Sequence, residues 1–241
     1  MFDGRTVLAV VPARGGSKGI PKKNLREVGG VSLVGRAGDL ARSLRWLDAA
    51  VLSTDDPEIA EEGKRHGLDA PFLRPADLSG DLAGSHGVWR HAWLAAEDHY
   101  GKRFDLSILL EPTSPLRRGE DVTATVKTLL GGRHKSAATV SPAPAHFTPH
   151  KCLTVAGGRI GFYHPQGAQH ATRQTIPTYY FRNGVCYALM RDTLMQEDAI
   201  IGDDCAAVII DRPIVNIDDP FDLELAEFVL QRERKRGERP D

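Results

Sequence analysis

"TVLAVVPARGGSKGIPKKN", Thr6–Asn24, runs from an unbroken apolar stretch into a loop that carries Gly15, Gly16 and Gly19 beside Arg14, Lys18, Lys22 and Lys23. The β-branched run Thr6–Pro12 suits a strand covered on both faces, which places it at the centre of a parallel sheet. The loop after it admits more than one chemistry. Gly15-Gly16-Ser17-Lys18-Gly19 fits the G-x-S-x-G elbow of serine hydrolases. That elbow needs a helix to begin at once, whereas Pro21 biases the residue before it away from helix, and the strand leaves no room upstream for the loop that completes an oxyanion hole. The lysine-then-serine order of a P-loop is absent, and so is G-x-G-x-x-G. An anion cradle remains, in which glycines bring backbone N–H groups close to phosphate oxygens and the cations supply charge. Its bland alternative is a flexible basic surface loop.

Outward from this loop, strand and helix signals alternate. A helix is expected from Ser32, a strand over Asp48–Asp55, and a helix capped by Asp56 and stopped by Gly67. Val88, Trp89, Ala92, Trp93 and Ala96 recur at helical spacing. Leu106–Pro112 reads as the next buried strand, Glu120–Leu130 as a helix and Ser136–Val140 as a further strand. This rhythm predicts an α/β fold, a mainly parallel sheet with helices on both faces, whose ligands bind at the carboxyl ends of the strands. Between about Ser141 and Tyr180 the rhythm breaks into a Pro-, His- and Gly-containing insertion with a hairpin signal at Gly157-Gly158, of the kind that serves as a lid or oligomer contact. It resumes with a strand over Gly184–Met190, another over Ala206–Asp211 and a closing helix from Pro220.

Composition removes several classes. In 241 residues, 31 Lys+Arg against 32 Asp+Glu give a net charge of -1, so no global basic field for nucleic acid exists and an anion site must be local. Cys152, Cys186 and Cys205 are odd in number and widely spaced, which argues against a disulfide framework or zinc knuckle and for buried thiols in a reducing cytoplasm. The start has too short an apolar run for a secretory signal, and no run is long enough to span a membrane.

The motifs "VPARGGSKGIPKKNL", "VLSTDDPEIAEEGKRHG", "FLRPADLSGDLAGS", "LLEPTSPLR", "NGVCYAL" and "VNIDDPFDLELAE", in this order across nearly the whole chain, resemble those of the CMP-sugar-acid synthetases, especially the acylneuraminate cytidylyltransferases. The resemblance implies a Rossmann-like nucleotidyltransferase fold, one cytidylyltransferase domain over residues 1–241, and CTP plus a 2-keto-3-deoxy sugar acid as substrates. It also implies magnesium and a homodimer whose insertion reaches the partner's site. Arg14, Ser17, Lys18, Lys23 and Asn24 would hold the triphosphate, with the backbone of Ala13, Gly15 and Gly16 closing around it. Arg74 and Ser85 match contacts to base and ribose; the alternatives are a surface ion pair for Arg74 and a helix cap for Ser85.

Arg14, Lys18, Lys23 and Asp218 are the implied catalytic groups, and Asp218 the magnesium ligand. Glu111, Thr113, Ser114 and Asn183 would meet the sugar, with Arg117 at the same sheet edge, while Lys151 and Arg173 would meet its carboxylate. Three departures mark this chain. Glu111 stands where the family pattern has glutamine, Asn216 where it has the first of two aspartates, and Arg182 where the commoner pattern has proline. A Kdo or legionaminic acid cytidylyltransferase and a non-catalytic nucleotide-binding relative are the alternative readings.

Overall fold

Alternation along single strands organises the interior. A computed structural model describes residues 1–169, 173–197, 199–235 and 237. Its elements are β1 (Val7–Pro12), β2 (Glu27–Val28), β3 (Val31–Ser32), α1 (Leu33–Ser43), β4 (Ala49–Ser53), α2 (Pro57–Arg65), α3 (Ser85–Tyr100), β5 (Leu106–Leu109), α4 (Gly119–Gly131), β6 (Ser136–Pro142), β7 (Leu153–Ala156), β8 (Arg159–Phe162), β9 (Tyr180–Met190), α5 (Arg191–Gln196), β10 (Cys205–Ile209) and α6 (Pro220–Lys235). Val7, Ala9 and Val11 of β1 face a cluster with Val34, Leu40, Val126 and Leu129 of α1 and α4. Leu8 and Val10 face the other side, with Trp89, Trp93 and Ala96 of α3 and Leu194 of α5. Side chains two apart share a sheet face, so one strand feeds two cores and reads as continuously apolar.

The six strands of the main sheet lie in the order β10-β6-β9-β5-β1-β4. β1 is parallel to β4 and β5, and β10 to β6, whereas β9 is antiparallel to both β5 and β6. The expected central place of β1 is corrected: it lies one strand from the edge and is buried because helices cover both faces. The direction of β9 was not legible, since a doubly covered strand is apolar along its length whichever way it runs.

Local chemistry sets the helix ends. The Ser32 hydroxyl accepts from Gly35 N at 3.0 Å, and Asp56 accepts from Glu58 N at 2.8 Å just before Pro57. Gly67, with φ +85°, lets the chain leave α2 in a conformation that a side chain would oppose. Ser85 is not a cap; it is the first residue of α3, and Gly84 holds the cap position.

The ladder between β6 and β9 extends to Pro142↔Tyr180, and the insertion projects beyond it. Its β7–β8 hairpin turns at Gly157 and Gly158, both at positive φ, as a two-residue turn requires. Cys186 is buried and Cys205 partly so, but Cys152 is exposed on the insertion, contrary to the expectation of three buried thiols.

Arg117 ties the sheet edge to the loop after β5. It is buried, donating through Nε to Val185 O and through Nη2 to Glu111 O at 2.6 Å and Gly184 O at 3.2 Å. Burial pushes its guanidinium down to about 10. Replacing Arg117 with leucine strands the carbonyls of Val185 and Gly184, while Glu111 O keeps Ser114 N, and we expect it to cost about 2–6 kcal/mol in urea unfolding, since each unsatisfied buried acceptor costs about 1–3 kcal/mol.

Candidate active site

Three neighbouring parallel strands, β4, β1 and β5, end at one edge, and the segments that leave them surround a cavity of about 430 Å³. Arg14, Ser17, Lys18, Gly19, Lys23 and Asn24 line it from the loop after β1, Arg74 and Ser85 from the segments before and at the start of α3, and Glu111 and Thr113 from the loop after β5. Asp218 closes it from the segment before α6. The start of α3 adds the positive end of a helix dipole.

The cradle loop is pinned from beneath. Ala13 N donates to Ser53 O at 2.9 Å, Gly15 N to Asp55 Oδ1 at 2.9 Å, and Asn24 Nδ2 to Arg14 O at 2.9 Å. Two glycines are needed for close approach: a Cβ on Gly15 would meet Asp56 Oδ2 at 2.7 Å, and one on Gly19 would meet Asp218 O at 2.7 Å. After Pro21 the chain makes only a short 3-10 turn, Lys23–Leu25, entered through Lys22 in the left-handed region. No helix starts at Ser17, so the hydrolase elbow has no support here.

The structure places the anticipated residues unequally. Arg74 is no surface ion pair: it is buried, donates through Nε to Ser53 Oγ at 3.0 Å and through Nη2 to Ser53 O, and burial lowers its pKa. Lys23 donates to Ile217 O at 2.8 Å and stands 3.4 Å from Asp218 Oδ1. Lys22 turns away to pair with Glu58. The Ala13 side chain is packed in the core, the Gly15 N–H is spent on Asp55, and neither residue is among those lining the cavity, nor is Gly16.

In the loop after β5, Thr113 lines the cavity but Ser114 does not. The Ser114 hydroxyl is buried and donates to Asn183 O at 3.0 Å. Asn183 is fully buried, taking Thr139 Oγ and Val185 N on its oxygen and giving Nδ2 to Ser141 Oγ, so its amide is consumed in joining β6 to β9. Arg117 likewise points into the fold, as described above. Lys151 is not among the lining residues. Arg173 opens the turn Arg173–Thr175, and its side chain lies outside the described part of the chain.

One residue that the sequence reading passed over sits in the cradle itself. Asp81 Oδ1 accepts from Arg14 Nη1 at 2.9 Å, and its Oδ2 lies 2.5 Å from Lys18 Nζ. Lys18 first and Arg14 second hold its carboxyl below the usual range. The only signal was an acidic residue in the Gly80–Gly84 loop, and nothing in spacing pairs it with a loop some sixty residues earlier.

Known proteins share this architecture. A family model described as cytidylyltransferase matches residues 8–95, which contain the cradle, Arg74 and Ser85. Over most of its length the chain is similar to CMP-sugar-acid synthetases. A Campylobacter coli protein named post-translational flagellin modification protein B is 29% identical over 93% of this chain and 95% of its own. The CMP-N,N'-diacetyllegionaminic acid synthase of Campylobacter jejuni is 27% identical over 93% of this chain and 94% of its own. Among solved structures, a CMP:2-keto-3-deoxy-manno-octonic acid synthetase in complex with CTP superposes with a TM-score of 0.66 at 18% identity, covering 95% of this chain and 99% of that one. Its likeness is one of fold, a Rossmann-like sheet of mostly parallel strands flanked by helices.

Two substitutions at the cradle should act in opposite directions. Arg14→Ala removes a charge-assisted contact worth about 1.5–3 kcal/mol and should weaken CTP binding by about tenfold to a hundredfold in calorimetry. Asp81→Asn removes an internal competitor for the same cations and should tighten CTP binding several-fold; weaker binding would instead make Asp81 a support for the cradle.

Proposed function

We propose that this protein is a cytidylyltransferase that joins CTP to a 2-keto-3-deoxy sugar acid of the nonulosonate class, forming the CMP-sugar and releasing pyrophosphate. The observation that carries the reading is the single cavity holding Arg14, Lys18, Lys23 and Arg74 next to Glu111, Thr113 and Asp218. Four cations suit a triphosphate, and the acceptors beside them suit a polyhydroxylated partner. The class of acid is supported by the name of the Campylobacter jejuni relative. The reaction brings two anions together, so its barrier is lowered mainly by positioning and by charge neutralisation. Arg14, Lys18 and Lys23 would hold the phosphates in line, while Arg74 and Ser85 would bind the nucleoside.

Magnesium belongs to this proposal. Among the described residues no cluster of three or more His, Cys, Asp and Glu side chains could hold a metal alone. The Asp218 carboxylate lines the cavity, is 74% exposed, and among the described residues has only long contacts, 3.4 Å to Lys23 Nζ and 3.4 Å to Asn216 Nδ2. One such carboxylate fits an ion that retains waters and takes phosphate oxygens as its other ligands. When bound, magnesium would neutralise charge on the triphosphate. A pyrophosphate-release assay with CTP and a panel of sugar acids tests the function; a non-catalytic relative would bind CTP and release none. In that assay Asp218→Asn should lose most activity at low magnesium and recover part of it at high magnesium.

A homodimer is the second part of the reading. Leu153 pairs with Phe162 and Val155 with Ile160, which puts all four on one face of the β7–β8 hairpin. Their exposures of 50%, 49%, 72% and 71% leave that face uncovered, as an intermolecular contact requires. Lys151 and Arg173 lie on the same insertion and would be offered to the partner's sugar-acid site. Ile160→Asp should halve the mass seen by light scattering without altering CTP affinity.

A further inference from the structure

We propose that Glu111 takes the proton from the attacking hydroxyl of the sugar acid. This inference rests on the function proposed above, which needs such a group: as the sugar oxygen bonds to the α-phosphorus, pyrophosphate leaves with the electron pair of the broken bond, and the hydroxyl proton must go elsewhere.

Three carboxylates line the cavity among the described residues: Asp81, Glu111 and Asp218. Asp81 is bridged by Arg14 and Lys18, two cations that keep it ionised and unreceptive to a proton. Asp218 faces Lys23 and Asn216 and is the carboxylate suited to the metal. Glu111 differs from both. Its backbone carbonyl is fixed by Arg117 Nη2 and Ser114 N, but no donor among the described residues bonds its side-chain oxygens. Oε2 is packed against the backbone of Gly184, where a Cβ would stand 2.7 Å away, at a glycine with φ +68°. A partly buried carboxylate left without a donor loses solvation and gains no protein hydrogen bond, an arrangement that function explains better than stability does.

The surroundings suit a proton acceptor. Burial raises the Glu111 pKa; Arg117 from its own loop, Arg182 from β9 and Lys23 from the cradle oppose that rise, and Asp218 from before α6 adds to it through space. Tyr187 of β9 also faces it, and its phenol is pushed up to about 12, so it stays neutral. A carboxylate held above its ordinary range accepts a proton more readily than a fully solvated one. Since the group acts when ionised, the rate should climb as pH rises through its pKa. The sign for stability is opposite: a raised folded-state pKa contributes stability at low pH that is lost as pH rises through that pKa.

The test compares the parent with Glu111→Gln and Glu111→Asp in pyrophosphate release from pH 4.5 to 9, with CTP binding and thermal melting measured in parallel (range about that in which carboxylates and their shifted forms titrate). We expect Glu111→Gln to lower kcat by about a hundredfold or more, to lose the acidic limb of the kcat profile, to bind CTP like the parent, and to melt higher than the parent at pH 8 but not at pH 4.5. Glu111→Asp should keep the limb and part of the rate. An unchanged kcat and limb in Glu111→Gln, or a loss confined to KM for the sugar acid, overturns the assignment and makes Glu111 a binding group only. A parent that binds CTP yet releases no pyrophosphate with any acid overturns the functional reading, and this inference with it.

Discussion

The site rests on positive charge anchored in two ways: Arg74 and Lys23 are held by main-chain carbonyls, while Arg14 and Lys18 share the carboxylate of Asp81. Arg74 is anchored on Ser53 O and Lys23 on Ile217 O, and Asn24 grips Arg14 O so that the loop beneath the Arg14 side chain cannot collapse. A carbonyl fixes the position of a cation while leaving its charge available, whereas a buried carboxylate would neutralise the field that an anionic ligand requires. In a chain with a net charge of -1, this is how a local anion site is concentrated without a basic surface.

That arrangement calls for an exact meeting of distant segments. Ile217 N donates to Thr113 O at 2.8 Å, joining the approach to α6 to the loop after β5, and Lys23 binds the same residue from the cradle. Beneath them Ile20, Val28, Leu33, Leu116, Ile217 and Leu230 form a third apolar cluster, separate from the two that sandwich the sheet. Closing α6 onto this cluster brings Asp218 to within reach of the cradle, and Gly19 admits the Asp218 carbonyl where no side chain would fit. Packing on α6 and geometry at the site are therefore one event, made of contacts about two hundred residues apart in sequence.

Much of this was legible because local chemistry and tertiary demand agree. The run Val7–Pro12 had to be a doubly buried strand, Ser32 and Asp56 had the side chains that helix starts use, and Gly157-Gly158 had the freedom that a two-residue turn needs. The reading was less complete where one residue type serves two ends. Asn183 and Arg117 are polar residues within the motifs and look like ligand contacts, yet both are spent inside the fold on groups that strand crossing would otherwise leave unpaired. Asp81 was invisible for the converse reason: its meaning comes from a contact with Arg14 and Lys18 that no periodicity encodes.

The three cavity carboxylates show how one functional group is given different tasks by its neighbours. Asp81, exposed at the cavity wall between two cations, has its pKa lowered and behaves as a fixed anion. Asp218 is exposed and only distantly paired, which leaves lone pairs for a hard cation. Glu111, pressed on Gly184 and without a side-chain donor among the described residues, has its pKa raised. Here the departure from glutamine acquires a physical meaning: an amide at this position would be cheaper to bury and could still meet hydroxyls, but it could not accept a proton. Keeping an ionised carboxylate in that place costs the fold stability above its pKa, and such a cost is expected where the charge itself is used.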